Sequence, residues 1–222
     1  MTFFELVRDR AERMGSWICV GLDPMRERLP LHLRDSTDDL ARFLLPIIEA
    51  TLDVACCYKP NLAFYLAEGL AGLRALEKVR EVIPAEVPVI LDAKVGDIGS
   101  TATTYAQAAF ETWGFDAVTV NPYVGDEAVL PFARYTDKGV YILARTSNRN
   151  SARFQGHHGL WQSVVKAAAE WNHGNNIGLV VGATHAADLA AVRQLAPGLP
   201  FLIPGVGAQG GDLEAGVTWG ST

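Results

Sequence analysis

The sequence predicts an α/β chain folded as a (β/α)8 TIM barrel, and three observations carry that prediction. Short β-branched runs alternate along the chain with segments whose apolar residues recur at helical spacing. Several runs are continuously apolar, as strands buried on both faces of a parallel sheet must be. Polar or charged residues gather at the C-terminal ends of these runs, positions that converge on one face of a barrel. An open doubly wound sheet would instead concentrate such groups at one switch point.

The elements follow in order. MTFFELVRDRAERMG at the start reads as an amphipathic helix, and WICVGLD (17–23) as the first strand, ending in Asp23. The helical segment DDLARFLLPIIEATL leads to VACCYK (54–59), which closes on Lys59. NLAFYLAEGLAGLRALEKVR then precedes VPVILDAK (87–94), whose end carries Asp92 and Lys94. FDAVTVNPY (115–123) contains Asn121, and GVYILART (139–146) runs into Ser147. NIGLVVGAT (176–184) and PFLIPGVG (200–207) complete seven runs, the last followed closely by Gln209. After Gly207 only AQGGDLEAGVTWGST remains, too short for an eighth strand and its helix. The expectation is one barrel domain over 1–222, lacking its C-terminal strand–helix unit and belonging to a longer chain. A length of 222 residues suits this, since α/β barrels of about 200–250 residues form single domains.

Composition narrows the function. An apolar fraction of 49% supports a large core, and a net charge of −6 gives no general basic field for nucleic acid or anionic membrane. An anionic ligand must therefore be held locally. Three cysteines, two of them adjacent at Cys56 and Cys57 in an apolar run, read as reduced thiols and not as a disulfide framework. The N-terminus lacks the pattern of a signal peptide, and no apolar run approaches the ~18 residues of a membrane span. The expected location is cytoplasmic.

The stretch VILDAKVGDIGST (89–101) concentrates the chemistry. An apolar strand ends in Asp92, Lys94 and Asp97, charges that alternate in sign. On an extended strand 92 and 94 share a face. Such charges form either a solvated loop or a built site, and burying them is tolerable only if they pair. In a barrel, Lys59 would lie on the same rim, one strand earlier. Two lysines and two carboxylates arrayed this way could stabilise a developing anion and deliver a proton without a cofactor.

GVGAQG (205–210) matches the dinucleotide pattern G-x-G-x-x-G, but no room follows for a βαβ unit. It reads better as a backbone N–H cradle for a phosphate, placed after the seventh strand where barrels commonly hold one; a plain turn is the alternative. Thr146, Ser147 and Asn148 offer hydroxyl and amide groups able to read a polar heterocycle, or form a turn. The five histidines lack metal-ligand spacing, and no G-x-S-x-G nucleophile motif occurs.

These motifs resemble a known family. DAKVGDIGST (92–101) is similar to the D-x-K-x-x-D-I-x-x-T signature of the orotidine 5′-monophosphate decarboxylases, and GLDP (21–24), YKPN (58–61), TSN (146–148) and PGVGAQGGD (204–212) agree in order. The last two are especially like its longer bacterial subgroup. The resemblance implies a homodimeric barrel that converts orotidine monophosphate to uridine monophosphate, with no metal and no organic cofactor. It assigns Lys59, Asp92, Lys94 and Asp97 to a charged catalytic tetrad. Lys94 is implied as the acid that protonates the pyrimidine carbon, and Asp92 as the neighbour of the departing carboxylate. Asp97 and Thr101 are implied to reach across the dimer, and Asp23 to bind ribose with Lys59. Ser147 is placed at the pyrimidine and Gln209 over the phosphate; Asn148 and Gly207 join them as expected substrate-binding residues on the polar triplet and the glycine-rich cradle described above. The family's phosphate-binding arginine, which follows its eighth strand, has no counterpart in 1–222. Some relatives are fused to orotate phosphoribosyltransferase, an arrangement expected to be possible here.

Two other readings remain at this stage. One is a Mg²⁺-dependent decarboxylase of sugar phosphates within the same suprafamily, which shares the D-x-K-x-x-D motif. The other is a nucleotide-binding module without turnover.

Overall fold

A computed structural model describes residues 1–34, 39–184, 186–206 and 210–220. The chain divides into two compact units: Met1–Ala93 with Ala106–Val118, and Lys94–Tyr105 with Thr119–Thr222.

The first unit opens with α1 (Phe3–Met14). Its N-terminus is a capping box: Glu5 N donates to Thr2 Oγ1, and Thr2 N donates to Glu5 Oε2 at 2.7 Å. Gly15 closes the helix in the left-handed conformation, φ 61°, which a residue without Cβ adopts freely. Then come β1 (Ile18–Gly21), α2 (Asp39–Thr51) and β2 (Ala55–Lys59). Buried Arg10 of α1 donates to the carbonyls of Leu52 and Ala55, satisfying the turn between α2 and β2. The short α3 (Leu62–Leu66) is capped by Asn61, and α4 (Gly69–Val82) follows.

β1 and β2 are parallel, with Gly21 opposite Lys59. Bridges from Tyr58 to Val89 and from Asn61 to Asp92 place the end of β2 beside β3 (Ile90–Val95). β2 is buried along both faces up to Lys59, as its apolar run required. The Tyr58 hydroxyl donates to the Ile48 carbonyl of α2, and the Tyr65 hydroxyl to the Leu22 carbonyl after β1. Burial raises the pKa of both phenols, so they remain protonated donors.

β3 and β4 (Ala117–Val120) each begin in the first unit and end in the second; between them lie α5 (Gly99–Gln107) and a wider π turn, Ala108–Thr112. The second unit continues through α6 (Leu130–Ala133), β5 (Gly139–Arg145), α7 (Ala152–Gln155) and α8 (Leu160–Trp171). β6 (Ile177–Val181), α9 (Ala186–Leu195), β7 (Phe201–Leu202) and α10 (Leu213–Gly220) complete the described elements. β5 pairs parallel with β6, and β6 with β7. Strand neighbours follow chain order, β1-β2 and β3-β4-β5-β6-β7, the succession a (β/α)8 barrel builds. All seven expected strands are present among the described residues, with no eighth.

Two strands differ from expectation in extent. Trp17 and Ile18 at the start of the first run are more than half exposed, because β1 is an end member of the strand order. β7 pairs over two residues only, since Pro200 and Pro204 on either side carry no N–H to donate.

Candidate active site

In the first unit, the ends of β1, β2 and β3 bring Asp23, Lys59 and Asp92 into one electrostatic group. Lys59 Nζ lies 2.9 Å from Asp92 Oδ2, in a pair whose side chains are 16% and 8% exposed. Parallel pairing sets this contact: Asp92 N donates to the Pro60 carbonyl at 2.9 Å, holding the carboxylate beside the lysine. Asp23, exposed after β1, accepts from Asn61 N at 3.0 Å. Burial draws the Lys59 pKa down, but attraction to Asp92 and Asp23 and the hydrogen bond to Asp92 outweigh it, leaving it above the ordinary lysine value. Lys59 is thus held as a desolvated ammonium.

In the second unit, the chain after Asp92 departs from the extended course expected of it. Lys94 has φ 48°, a left-handed conformation costly for a residue with a side chain. Residues 92 and 94 therefore do not simply share a strand face. The cause lies on β4: buried Thr119 accepts the Lys94 N–H on its hydroxyl at 2.9 Å. Asn121 N donates to the Val95 carbonyl at 2.7 Å. Gly96 is required here, because a Cβ would stand 2.8 Å from the Asn121 carbonyl oxygen. Such backbone strain, over-determined by its surroundings, is characteristic of functional sites. Asp97 is exposed and accepts from Ile98 N at 2.8 Å, and Thr101 is exposed on α5.

Ser147 and Asn148 lie on the loop after β5. Gly182, after β6, lets the backbones approach so closely that a Cβ there would be 2.6 Å from Ser147 Cα. Thr184 Oγ1 donates to the Ser147 carbonyl at 3.0 Å. The loop is also held from below: Arg145 Nε donates to Asp188 Oδ2 at 2.7 Å, and Gln155 clasps Thr146 through two hydrogen bonds. Sequence reasoning missed Thr119, Arg145, Gln155, Gly182 and Thr184. A signal did exist for Arg145, a charge closing an apolar strand just as Lys59 does.

Gly207 and Gln209 lie outside the described residues. Among the described residues flanking them, Val206 and Gly211 form a bridge and Gly211 N donates to the Gly205 carbonyl at 2.8 Å.

Residues 16–217 match the model of the orotidine 5′-phosphate decarboxylase / HUMPS family. The chain belongs to that family. A relative from Thermomicrobium roseum, named orotidine 5′-phosphate decarboxylase, is 50% identical over 100% of this chain and 82% of its own length. One of the same name from Roseiflexus is 47% identical, over 98% and 82%. Among solved structures, a putative orotidine-monophosphate-decarboxylase from Toxoplasma gondii superposes with a TM-score of 0.94 at 42% identity, over 99% of this chain and 84% of that one. The Leishmania donovani UMP synthase gives 0.90 at 43% identity, over 99% and 48%. The family therefore carries the barrel fold onto this chain, and with it an enzyme of the decarboxylase type. Among the described residues, no helix is long and apolar enough to cross a membrane.

Proposed function

We propose that this chain removes CO₂ from orotidine 5′-monophosphate to give uridine 5′-monophosphate, as a step of pyrimidine synthesis, using only its own side chains. The observation that carries the reading is the desolvated Lys59–Asp92 pair, followed two residues later by a lysine in a strained backbone conformation. Losing CO₂ leaves its bonding electron pair on a pyrimidine carbon without a conjugated sink. An ammonium fixed beforehand next to that carbon stabilises the charge without reorganisation and then supplies the proton.

Lys94 takes this role, and Asp92 stands next to the departing carboxylate. Lys59 pairs with Asp92 and, with Asp23, binds the ribose hydroxyls. Ser147 and Asn148 read the pyrimidine. Gly207 and Gln209 form the phosphate cradle, whose binding energy draws the reacting end into place. Asp97 and Thr101 act in the site of a second copy in a cytoplasmic homodimer. In support of that dimer, Ile98 and Tyr105 are 54% and 45% exposed beside them, an apolar surface suited to a second copy.

The test is Lys94→Ala. Its turnover of orotidine monophosphate should fall by at least about 10²–10⁴-fold, the span of a lost proton donor, while the melting temperature holds. Retained turnover in a folded variant would overturn the assignment of Lys94.

A further inference from the structure

Gln155, at the end of α7, has so far only a role in holding the loop after β5, yet its side chain makes three hydrogen bonds to Arg145 and Thr146. Gln155 Oε1 accepts the backbone N–H of Thr146 at 2.9 Å and faces Arg145 Nη1 at 3.5 Å. Both of those groups can only donate, so the oxygen of the amide must point at them. The Gln155 nitrogen is thereby turned to Thr146 Oγ1, to which it donates at 2.8 Å.

The direction then passes on. A threonine hydroxyl has one proton, and with an N–H already aimed at its oxygen it donates that proton elsewhere. Its neighbour at 2.6 Å is the Asn148 amide, which receives it on its oxygen, Oδ1. What Asn148 keeps for a ligand is its pair of N–H donors. Arg145 anchors the start of the chain of bonds: it is 5% exposed, is paired with Asp188 and donates to Ser151.

We propose that Gln155 is a positioning residue that fixes, through the Thr146 hydroxyl, which way the Asn148 amide faces, and so makes this loop select a pyrimidine with a carbonyl at C4 over one with an amino group there. The inference rests on the proposed function, in which Asn148 faces the base. A C4 carbonyl accepts from the Asn148 N–H groups, whereas a C4 amino group would meet donor with donor.

The decisive perturbation is Gln155→Glu, nearly isosteric and kept ionised by Arg145 beside it. A carboxylate has no proton to give, so Thr146 must donate to it. The Thr146 oxygen then becomes an acceptor for Asn148, whose amide turns over and offers its oxygen outward. The readout is the ratio of dissociation constants for uridine and cytidine monophosphate, measured by calorimetry on the full chain. Ribose and phosphate are common to the two, so the ratio isolates the base.

Wild type should favour uridine monophosphate by about tenfold or more, and Gln155→Glu should reduce that preference by at least about tenfold. Thr146→Val, which removes the relay hydroxyl, should bring the ratio toward one and serves if Gln155→Glu does not fold. An unchanged ratio in a folded variant overturns the relay while leaving the decarboxylase reading intact.

A wild-type chain that binds neither nucleotide would instead sink that reading. The relay is then judged without nucleotide, by exchange of the Asn148 side-chain amide protons in nuclear magnetic resonance. Exchange should slow in Gln155→Glu, where Thr146 accepts one of them; no change would overturn the relay.

Discussion

Replacing Asp92 by alanine tests whether the Lys59–Asp92 pair is a buried structure or a surface decoration. The two charges are 2.9 Å apart and their side chains are 16% and 8% exposed, so water screens them little. Breaking a buried pair from one side leaves its partner charged and unpaired, at a cost of about 3–5 kcal/mol. Asp23 still attracts Lys59, which places the expected loss near about 3 kcal/mol, the lower end of that range. Converting Lys59 to methionine in the same chain should recover much of the loss, because no bare charge remains.

The sign of the pH dependence can be worked out. In the wild type the Lys59 pKa lies above its ordinary value of 10.5, so the stability it contributes is fully present below that pH and is lost as pH rises through the folded value. Without Asp92, burial acts against weaker attraction and the folded pKa falls. The deficit of Asp92→Ala relative to wild type should therefore shrink on going from pH 7 toward pH 10. Urea unfolding followed by the fluorescence of the five tryptophans reads all of this. A loss below about 1 kcal/mol at pH 7 would match a solvent-screened pair and refute the burial argument.

Three further outcomes are expected. Thr119→Val removes the acceptor of the Lys94 N–H, so it should destabilise by about 1–3 kcal/mol and lower kcat more than it raises KM, as steady-state kinetics will show. Gly182→Ala places a methyl group 2.6 Å from Ser147 Cα and should raise KM through displacement of the 146–148 loop; unchanged KM would show that this loop does not touch substrate. Gly96→Ala drives a Cβ against the Asn121 carbonyl and should lower the melting temperature together with kcat, whereas Gly198→Ala, which meets nothing within 4 Å, should leave both unchanged.

Much of this was legible in the sequence because it is local. A parallel strand buried on both faces has to be a continuous apolar run, and each of the seven runs became a strand. The charge that closes a run marks where the chain leaves the core, which is why Lys59 and Asp92 could be found without coordinates. The conformation of Lys94 was not legible. It depends on a hydroxyl 25 residues further along, on a strand whose pairing partner no local pattern names. Arg145 and Asp188 are separated by 43 residues, and the need for glycine at 182 comes from the backbone of Ser147, on the loop after β5. Gln155 follows an ordinary surface pattern, and only its two donor-only neighbours reveal its role. The exposure of Trp17 and Ile18 ran against their apolar character because burial depends on strand order, which composition does not set.

The central claim is decarboxylation by the chain's own charges. It is tested most directly by incubating metal-stripped protein with orotidine monophosphate in excess EDTA and following the ultraviolet change on conversion to uridine monophosphate. The account predicts the same turnover with EDTA as with added Mg²⁺. Turnover that appears only with Mg²⁺ would contradict it and point to the chemistry of metal-dependent decarboxylases.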